Sequence, residues 1–397
     1  MKTLANRLSH LETSATLAMA SKAKALKAKG VDVVDMSLGE PDFNTPAYLK
    51  EAAIKAIEEG NSFYTPVPGT LELRKAICHK LKRDNNIEAE PSQVVVSTGA
   101  KQAISNIIMA LINPGDEVVI PAPYWVSYAD IVKFMEGKVI SPLAGVEQDY
   151  KITPKQLKES LTSKTKLFIF SNPSNPTGSV YNEEELRGLA QIFKEFPDCY
   201  IVSDEIYEYI LFQENYFSLG SLPELAHRVI TVNGLSKAFA MTGWRLGYLT
   251  ASKEIADACI SIQSQCTSGT NSITQVVAIT ALNQGKEPVS FMKESFFKRR
   301  NLFISELTKI KNIHLSIPHG AFYLFIDFKL WVGKKYKNIL IQDCTHLSNL
   351  LLENVYLALT PGAAFGAPGH LRFSYATSEE RIREAVTRLE MFQEDLS

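Results

Sequence analysis

The middle of the chain alternates short apolar runs, rich in β-branched residues, with longer stretches whose apolar positions recur with a helical period. The short runs predict strands at 93–97, 117–120, 166–170, 200–203 and 228–232. The longer stretches predict helices at 101–111, 126–135, 183–194 and 272–284. Such alternation is typical of the α/β class, with a mostly parallel sheet covered by helices on both faces.

The pattern changes after residue 285. A long basic helix is expected over 288–310, followed by strand-like pieces at 313–316, 322–327, 355–359 and 371–375. These elements predict a smaller α+β domain. Upstream, Thr45 and Pro46 are suited to the N-cap and first position of a helix. We therefore expect a large domain at 46–285, and a small domain formed by 1–45 together with 286–397.

The charge and composition of the chain restrict the kinds of binding partner that we expect. The 397 residues include 42 basic and 43 acidic side chains, without a long block of either sign. This balance disfavours nucleic acid and anionic membranes as partners, and favours a small molecule or a second copy of the chain. Because no apolar run approaches the roughly 18–20 residues that span a bilayer, we expect no membrane segment.

The number and spacing of the cysteines indicate the cellular compartment in which the protein works. There are five of them, and no two have the spacing of a zinc or redox pair. We therefore expect a reduced, cytoplasmic protein without a metal site. The five are Cys78, Cys199, Cys259, Cys266 and Cys344.

In open parallel sheets, ligands bind beyond the carboxyl ends of the strands. The segments that follow the predicted strands here are polar and distinctive: STGAKQA, SNPSNPTG, SDEIYE and NGLSKAF. The first places a glycine turn at a helix N-terminus, which suits a phosphate. Neither GxGxxG nor GxxxxGK[ST] occurs, which argues against a nicotinamide dehydrogenase and a P-loop NTPase.

Four side chains in these segments and near the C-terminus are candidates for chemistry, each with a structural alternative. Asp204 ends a strand, either as a cap or as a carboxylate that keeps a heterocyclic nitrogen protonated. Lys237 is either a surface residue or a desolvated, nucleophilic amine. Arg245 and Arg372, each between apolar neighbours, are either edge residues or anion clamps. Their occurrence together, in this order, favours the functional interpretation.

Taken together, the segments SNPSNPTG, SDEIYE, NGLSKAFAMTGWRLGY and RFSYATS resemble the signature of class I aminotransferases, which use pyridoxal phosphate. Within that family the chain is most similar to bacterial aspartate aminotransferases of the I-gamma subgroup, from SATLA to RFSYATSEE. The resemblance implies the aspartate aminotransferase-like fold of pyridoxal-phosphate-dependent transferases. It also implies a ping-pong reaction that converts L-aspartate and 2-oxoglutarate to oxaloacetate and L-glutamate.

The resemblance also implies roles for residues around the cofactor ring. Lys237 would bind the cofactor aldehyde covalently and then carry the proton taken from the substrate Cα. Asp204 would pair with the protonated pyridine nitrogen. Tyr207 and Asn175 would hydrogen-bond the phenolic oxygen, and Trp125 would stack on the ring.

For the cofactor phosphate, the resemblance implies the backbone around Gly99, Ala100 and Lys101, together with the side chains of Ser236 and Arg245. Gly234 departs from relatives that place a phosphate-binding serine three positions before the lysine, and Ser236 is the candidate substitute. Tyr64 is, in the family, contributed to the phosphate site of the partner subunit. A homodimer with shared active sites is therefore implied.

On the substrate side, Arg372 would clamp the α-carboxylate, with the Gly39 backbone completing the pocket and with Trp125 and Asn175 beside it. The segment SIQSQCTSGTNSITQ lacks the arginine that animal-type and enteric relatives use for the second carboxylate. The subgroup instead uses a threonine and a lysine that match Thr16 and Lys101. Both residues are present, which favours amino acids and 2-oxo acids with two carboxylates.

Three alternatives remain open. The first is an aminotransferase for prephenate or aromatic amino acids. The second is another branch of the same fold, such as an aminocyclopropane-carboxylate synthase or a carbon–sulfur lyase, which would share the lysine. The third is a non-catalytic effector-binding domain of a regulator. Such regulators usually carry a DNA-binding module before the fold, whereas here the family pattern begins within the first 20 residues.

Overall fold

The computed structural model of the protein describes residues 4–11 and 15–397, except for the side chains of residues 10, 15 and 16. The described chain contains twelve α-helices: α1 (Ala15–Ala28), α2 (Ala47–Glu58), α3 (Leu71–Asn85), α4 (Ala100–Leu111), α5 (Val126–Phe134), α6 (Pro154–Ser160), α7 (Glu183–Lys194), α8 (Lys253–Cys266), α9 (Ser272–Gln284), α10 (Ser290–Leu307), α11 (Cys344–Val355) and α12 (Glu379–Glu394). In the same part of the chain, no helix is both long and apolar enough to cross a membrane.

Fifteen strands accompany these helices in the described residues: β1 (Val34–Asp35), β2 (Val94–Ser97), β3 (Glu117–Val119), β4 (Lys138–Ile140), β5 (Thr165–Ser171), β6 (Tyr200–Asp204), β7 (Val229–Gly234), β8 (Gly247–Thr250), β9 (His314–Leu315), β10 (Tyr323–Asp327), β11 (Lys335–Tyr336), β12 (Ile339–Leu340), β13 (Leu357–Ala358), β14 (Thr360–Pro361) and β15 (His370–Ser374).

Seven strands form the central sheet, in the order β2-β8-β7-β6-β5-β3-β4. All of its neighbouring pairs are parallel except those of β8, which runs antiparallel to β2 and β7. Every residue of β7 is buried, as expected for a central strand covered on both faces. The expected α/β architecture, a mostly parallel sheet with helices, is confirmed.

Alternation along the strands divides the core between the two faces of this sheet. In β2, Val95 packs in one apolar cluster, whereas Val94 and Val96 pack in another. The same division separates Ile201 from Val202 in β6. Because successive side chains of a strand point to opposite faces, continuous apolar runs of this kind require helices on both sides.

A second, antiparallel sheet has the order β14-β15-β10-β9. In β15, Leu371 and Phe373 belong to the apolar core, and Arg372 lies between them on the opposite face, as its alternation predicts. The segment before α2 packs with the C-terminal part of the chain. Its strand β1 pairs in parallel with β13, and Val34 lies opposite Leu357. The Ser374 N–H also donates to the Met36 carbonyl, at 2.9 Å.

The predicted start of α2 is wrong by one residue. The helix begins at Ala47, and Pro46, not Thr45, occupies the N-cap position. The Thr45 hydroxyl donates instead to the Ala240 carbonyl, at 2.8 Å, and accepts from Trp244 Nε1, at 3.1 Å. The Thr45 hydroxyl therefore binds the segment that follows Lys237 in sequence and does not cap helix α2.

Candidate active site

A cavity of about 730 Å³ opens at the carboxyl ends of the central strands. Eleven of the residues named from the sequence line it: Gly39, Ala100, Lys101, Trp125, Asn175, Asp204, Tyr207, Ser236, Lys237, Arg245 and Arg372. Tyr64 does not reach the cavity of its own chain, and its side chain is 99% exposed in the loop between α2 and α3. The side chain of Thr16 lies outside the described part of the chain.

Lys237 follows β7 and projects into the cavity, where its Nζ donates to the Gly39 carbonyl at 2.6 Å. Burial lowers the pKa of Lys237 to about 8, against the opposing attraction of the Glu40 carboxylate, while the charges of Arg372 and Arg245 add to the lowering. A substantial fraction of the amine is therefore neutral near physiological pH. This is the nucleophilic form of lysine, and it also accepts a proton.

This pKa predicts how Lys237 reacts in the cofactor-free protein. Its acylation by an amine-reactive reagent should increase with pH and be half-maximal near pH 8, because the amine is protonated below that pKa and neutral above it. An ordinary lysine would reach half-maximal reaction only at about pH 10.4. Peptide mass spectrometry over a pH series would measure the acylation of Lys237 and of the exposed lysines separately. A midpoint for Lys237 that coincides with that of the bulk lysines would contradict the assignment.

Asp204 ends β6 with its carboxylate in the cavity and 4% of the residue exposed. It accepts a hydrogen bond from the Tyr128 hydroxyl at 2.6 Å and another from the Ile206 N–H at 3.2 Å. Burial raises the pKa of Asp204 to about 6, and these two hydrogen bonds act in the opposite direction. A cation placed against the carboxylate would stabilise its ionised form.

Tyr128 was not identified from the sequence, although PYWVSY contains its signal. It stands three residues after Trp125, at the spacing that puts two side chains on one face of a helix. The two rings meet edge to face, with centroids 5.2 Å apart. Tyr128 therefore connects the predicted stacking residue with the carboxylate of Asp204.

Tyr207 and Tyr323 place two buried hydroxyls 2.8 Å apart beside the cavity. Burial raises the pKa of both, so each remains a neutral phenol able to donate a hydrogen bond. Tyr323 comes from β10, far from the motifs, and was not predicted. A Cβ added to Gly39 would lie 2.4 Å from the hydroxyl oxygen of Tyr323, so position 39 has no room for a side chain while Tyr323 stays in place.

The turn into α4 and the start of β8 form a compact anion-binding corner. Gly99 has φ +86°, and a Cβ on it would lie 2.4 Å from Arg245 Nη2. A Cβ on Gly247 would lie 2.2 Å from the Ala100 backbone nitrogen. These glycines allow Arg245 and the N-terminus of α4 to lie close together. The first N–H groups of that helix have no partner within the helix and can bind an anion.

Gly234 lies three positions before Lys237, where the resemblance to the family led us to look for a phosphate-binding serine. A Cβ on it would lie 2.8 Å from the Leu246 carbonyl oxygen and 2.9 Å from Gly247 Cα. Close packing of β7 on β8 therefore leaves no room for a side chain. The hydroxyl of Ser236, which lines the cavity, is the available substitute.

Arg372 is 2% exposed, and its guanidinium is held by carbonyl and amide oxygens. Nη1 donates to Asn175 Oδ1 at 3.0 Å, and Nη2 donates to the Ser37 carbonyl. The guanidinium carbon lies 4.7 Å from the ring centre of Tyr323. Nε is buried without a hydrogen-bond partner among the described residues, and no carboxylate of the described chain pairs with the guanidinium. The arrangement suits an anionic ligand that forms a bidentate pair.

Lys101 is a further cation beside the cavity. Its Nζ lies 5.0 Å from the centre of the Trp125 ring. Burial and the nearby Arg245 charge lower the pKa of Lys101, and the Asp130 carboxylate acts in the opposite direction. A bound carboxylate would relieve the repulsion between the two cations.

The residues around the cavity fit pyridoxal phosphate. The Lys237 amine suits the aldehyde, the Asp204 carboxylate suits the ring nitrogen, and the turn at Gly99 with Arg245 suits the phosphate. Trp125 offers an aromatic face to the ring. When bound, the cofactor supplies an electron sink for the carbanion that forms when a substrate loses its Cα proton.

Comparisons with known proteins identify the family of the whole chain. The family model described as aminotransferase class I and II matches residues 31–389. An aspartate/prephenate aminotransferase from Nitrosomonas europaea is 43% identical, covering 97% of this chain and 98% of that protein. An aspartate aminotransferase from Pinus pinaster is 43% identical, covering 98% of this chain and 80% of that protein.

Solved structures give the same result for the whole fold. The aspartate aminotransferase from Rhizobium meliloti superposes with a TM-score of 0.96 at 38% identity, covering 100% of both chains. The aspartate aminotransferase from Thermus thermophilus with maleate gives 0.92 at 39% identity, covering 99% of this chain and 100% of that one. This chain therefore belongs to the class I and II aminotransferases, which depend on pyridoxal phosphate.

Proposed function

We propose that the enzyme transfers the amino group of L-aspartate to 2-oxoglutarate by a ping-pong mechanism. Aspartate leaves its amino group on the enzyme and departs as oxaloacetate, and 2-oxoglutarate then takes the amino group away as glutamate. The observation that carries this proposal is a cavity lined by the Lys237 amine, whose pKa is lowered, and by two further cations, Arg372 and Lys101. That combination suits an amino acid with two carboxylates.

Lys237 is proposed to move the proton. Its amine, with a pKa lowered to about 8 by burial, would accept the Cα proton of the substrate and deliver it to the carbon that came from the cofactor aldehyde, on the far side of the transferred nitrogen. Its present acceptor, the carbonyl of Gly39, lines the same cavity. The amine can exchange that hydrogen bond for one to the reacting atoms without leaving the cavity.

Asp204 is proposed to keep the cofactor ring nitrogen protonated, and Tyr128 orients the carboxylate for this task. The 2.6 Å hydrogen bond from Tyr128 occupies Oδ2, and the Ile206 N–H reaches Oδ1 at 3.2 Å. The carboxylate therefore has a fixed direction before any ligand binds. On the opposite side, Tyr207 and Asn175 are proposed to donate hydrogen bonds to the phenolic oxygen.

Arg372 and Lys101 are proposed to bind the two carboxylates of the substrate. Arg372 takes the α-carboxylate, since its guanidinium is already oriented by Asn175 and the Ser37 carbonyl. Lys101, assisted by Thr16, takes the second carboxylate. The loop between α8 and α9 lies in the segment without arginine, so Lys101 replaces the cation that other subgroups supply there.

The visible absorption spectrum of the holoenzyme tests the reaction. L-Aspartate should abolish the visible band of the lysine-bound cofactor, and 2-oxoglutarate should restore it. A band that does not respond to aspartate would reject the substrate while leaving Lys237 and the cofactor in place. A protein that remains colourless after incubation with pyridoxal phosphate would reject the whole site.

A second candidate substrate, prephenate, is favoured by the shape of the cavity. The lining of the cavity includes the apolar side chains of Leu38, Met109 from α4, and Ile131 and Phe134 from α5. This apolar wall suits a six-membered ring that also carries a carboxylate. In the same assay, prephenate added after aspartate should restore the visible band. Failure to do so would exclude it as an amino acceptor.

We also propose a homodimer with shared active sites. Tyr64 is 99% exposed and Phe63 is 83% exposed on a loop of otherwise ordinary polarity. Exposed aromatic side chains of this size favour a protein contact. A solution mass close to the 44.1 kDa of one chain would contradict the dimer.

The division into a large domain, 46–285, and a small domain, 1–45 with 286–397, remains our proposal. The pairing of β1 with β13 supports it, because this pairing joins the first segment to the last. Structures with and without a dicarboxylate should superpose within each domain and differ between domains. A difference that cuts through either domain would contradict the boundaries.

A cytoplasmic location is proposed from the chemistry of the cysteines. The five cysteines are free thiols, and four of them are buried. Proteins that mature in oxidising compartments more often pair their cysteines. Recovery of the native enzyme from a secreted fraction would contradict this location.

A further inference from the structure

The turn that follows β6 has two faces. Asp204, Ile206 and Tyr207 line the cavity. Glu205 and Glu208 do not line the cavity and are 0% and 9% exposed. The turn therefore carries two proposed cofactor ligands on one side and two buried carboxylates on the other, and the mechanism does not use the carboxylates.

Asn85 joins these two carboxylates. Its Nδ2 donates to Glu205 Oε2 at 2.8 Å and to Glu208 Oε2 at 2.6 Å. Asn85 is the last residue of α3, and the helix stops there because Asn86 adopts the left-handed conformation, with φ 54°. The amide is 4% exposed and is held from a rigid helix end.

Each carboxylate has further polar partners. Glu205 Oε1 accepts from the hydroxyls of Ser203, at 2.9 Å, and Ser218, at 2.6 Å. Glu208 Oε1 accepts from Asn233 Nδ2 at 2.7 Å and pairs with the ammonium group of Lys80, which is 2% exposed. Lys80 also donates to Asn85 Oδ1, at 2.5 Å. The network thus satisfies both amide hydrogens and the amide oxygen of Asn85.

This network is costly to bury. The buried Lys80 pairs with Glu208 and lies 3.8 Å from Asp84 Oδ2, and burial together with the Glu208 charge raises the pKa of Glu205 to about 7. Apolar side chains of similar volume would often give equal or greater stability at such a position. What a fully satisfied polar network adds is a single defined geometry.

We propose that Asn85 is a positioning residue, which ties Glu205 to Glu208 and thereby holds Asp204 and Tyr207 in the orientation that receives the cofactor. An amide has two hydrogens, and here each carboxylate takes one. The tie spans the turn from Glu205 to Glu208 and includes Tyr207, while Asp204 immediately precedes it. Without it the two side chains lose the donor that they share, and the turn is no longer held at both ends. This proposal rests on the roles proposed above for Asp204 and Tyr207.

Holoenzyme variants test the proposal. Asn85→Ala removes the tie, and Asn85→Asp replaces the donor with a third carboxylate. Both should raise the dissociation constant of pyridoxal phosphate and lower kcat by about tenfold, as expected for buried charged groups that lose a donor. The KM for aspartate should change little, because Arg372 is not part of the network.

Arg228→Met provides the matched control. Arg228 is 4% exposed at the opposite end of β7, where it donates to the carbonyls of Phe193, Phe196 and Cys199. Its loss should lower the melting temperature without changing the cofactor dissociation constant or kcat. The double variant Asn85→Asp with Glu205→Gln exchanges donor and acceptor, so it should recover part of the cofactor affinity.

The outcomes are distinct. An Asn85→Ala enzyme that loses melting temperature but keeps its cofactor dissociation constant and kcat within twofold would overturn the proposal. If Asn85→Asp does not fold, Asn85→Ala alone decides. Failure of the unmodified enzyme to bind pyridoxal phosphate would instead refute the proposed roles of Asp204 and Tyr207, on which the inference rests.

Discussion

Replacement of Lys237 by alanine should reduce the rate of transamination at least about 10⁴-fold, because one side chain supplies both the covalent attachment and the proton transfer. The fold should persist. The Lys237 amine makes one hydrogen bond, to Gly39, and burial already disfavours its charged form. Removing it takes away one favourable charge from the buried Asp204, which keeps its hydrogen bonds from Tyr128 and the Ile206 N–H. Single-turnover kinetics and the melting temperature measure the two effects separately.

Two controls isolate the chemistry of the amine. Lys237→Arg keeps a cation but has no neutral amine at any accessible pH, so it should be as inactive as the alanine variant. Lys253→Ala removes an exposed lysine that pairs with Asp257 and should keep the full rate. A Lys237→Ala enzyme with a nearly normal rate would disprove the proposed mechanism.

The second large effect is expected at Arg372. Arg372→Leu should lower kcat/KM for aspartate about 10³-fold, since two charge-assisted hydrogen bonds of roughly 1.5–3 kcal/mol each are lost with the carboxylate clamp. The cofactor dissociation constant should change much less, because Asp204, Arg245 and Lys237 remain. Steady-state kinetics with aspartate and a cofactor titration give the two numbers.

Arg372→Lys is the matched variant for this prediction. It keeps the charge but loses the planar fork that Asn175 and the Ser37 carbonyl orient, so the loss in kcat/KM should be smaller than with leucine. Because Arg372 is buried, both variants need a melting measurement. Unchanged kcat/KM in the leucine variant would show that another group binds the α-carboxylate.

The central strands could be predicted because each is a continuous apolar run, and strands buried on both faces look like this. The same criterion failed for β8, because its first two residues, Gly247 and Tyr248, are the last two of the motif NGLSKAFAMTGWRLGY and were interpreted as part of the site. It also failed for β4, whose three residues are exposed or half-buried at the sheet edge. Helices α3 and α8 were not identified either, and α3 is more polar than every helix that was predicted.

The site was predicted to the extent that its residues follow strands or stand in distinctive motifs. Asp204, Lys237 and Arg245 were found in this way. Tyr323 was not, because its relation to Tyr207 spans 116 positions and depends on the packing of β10. Local rules failed at Thr45 for the same reason, since its acceptor is 195 positions away.

The position of β8 has a consequence for synthesis of the chain on the ribosome. β2 lies at the edge of the central sheet and pairs there only with β8, which is complete at Thr250. Until then the apolar segment VVVS has no partner strand, although about 150 further residues have already been made. An unpaired apolar edge exposed for that long is prone to aggregation, so β2 is the segment where we expect a chaperone to bind the nascent chain.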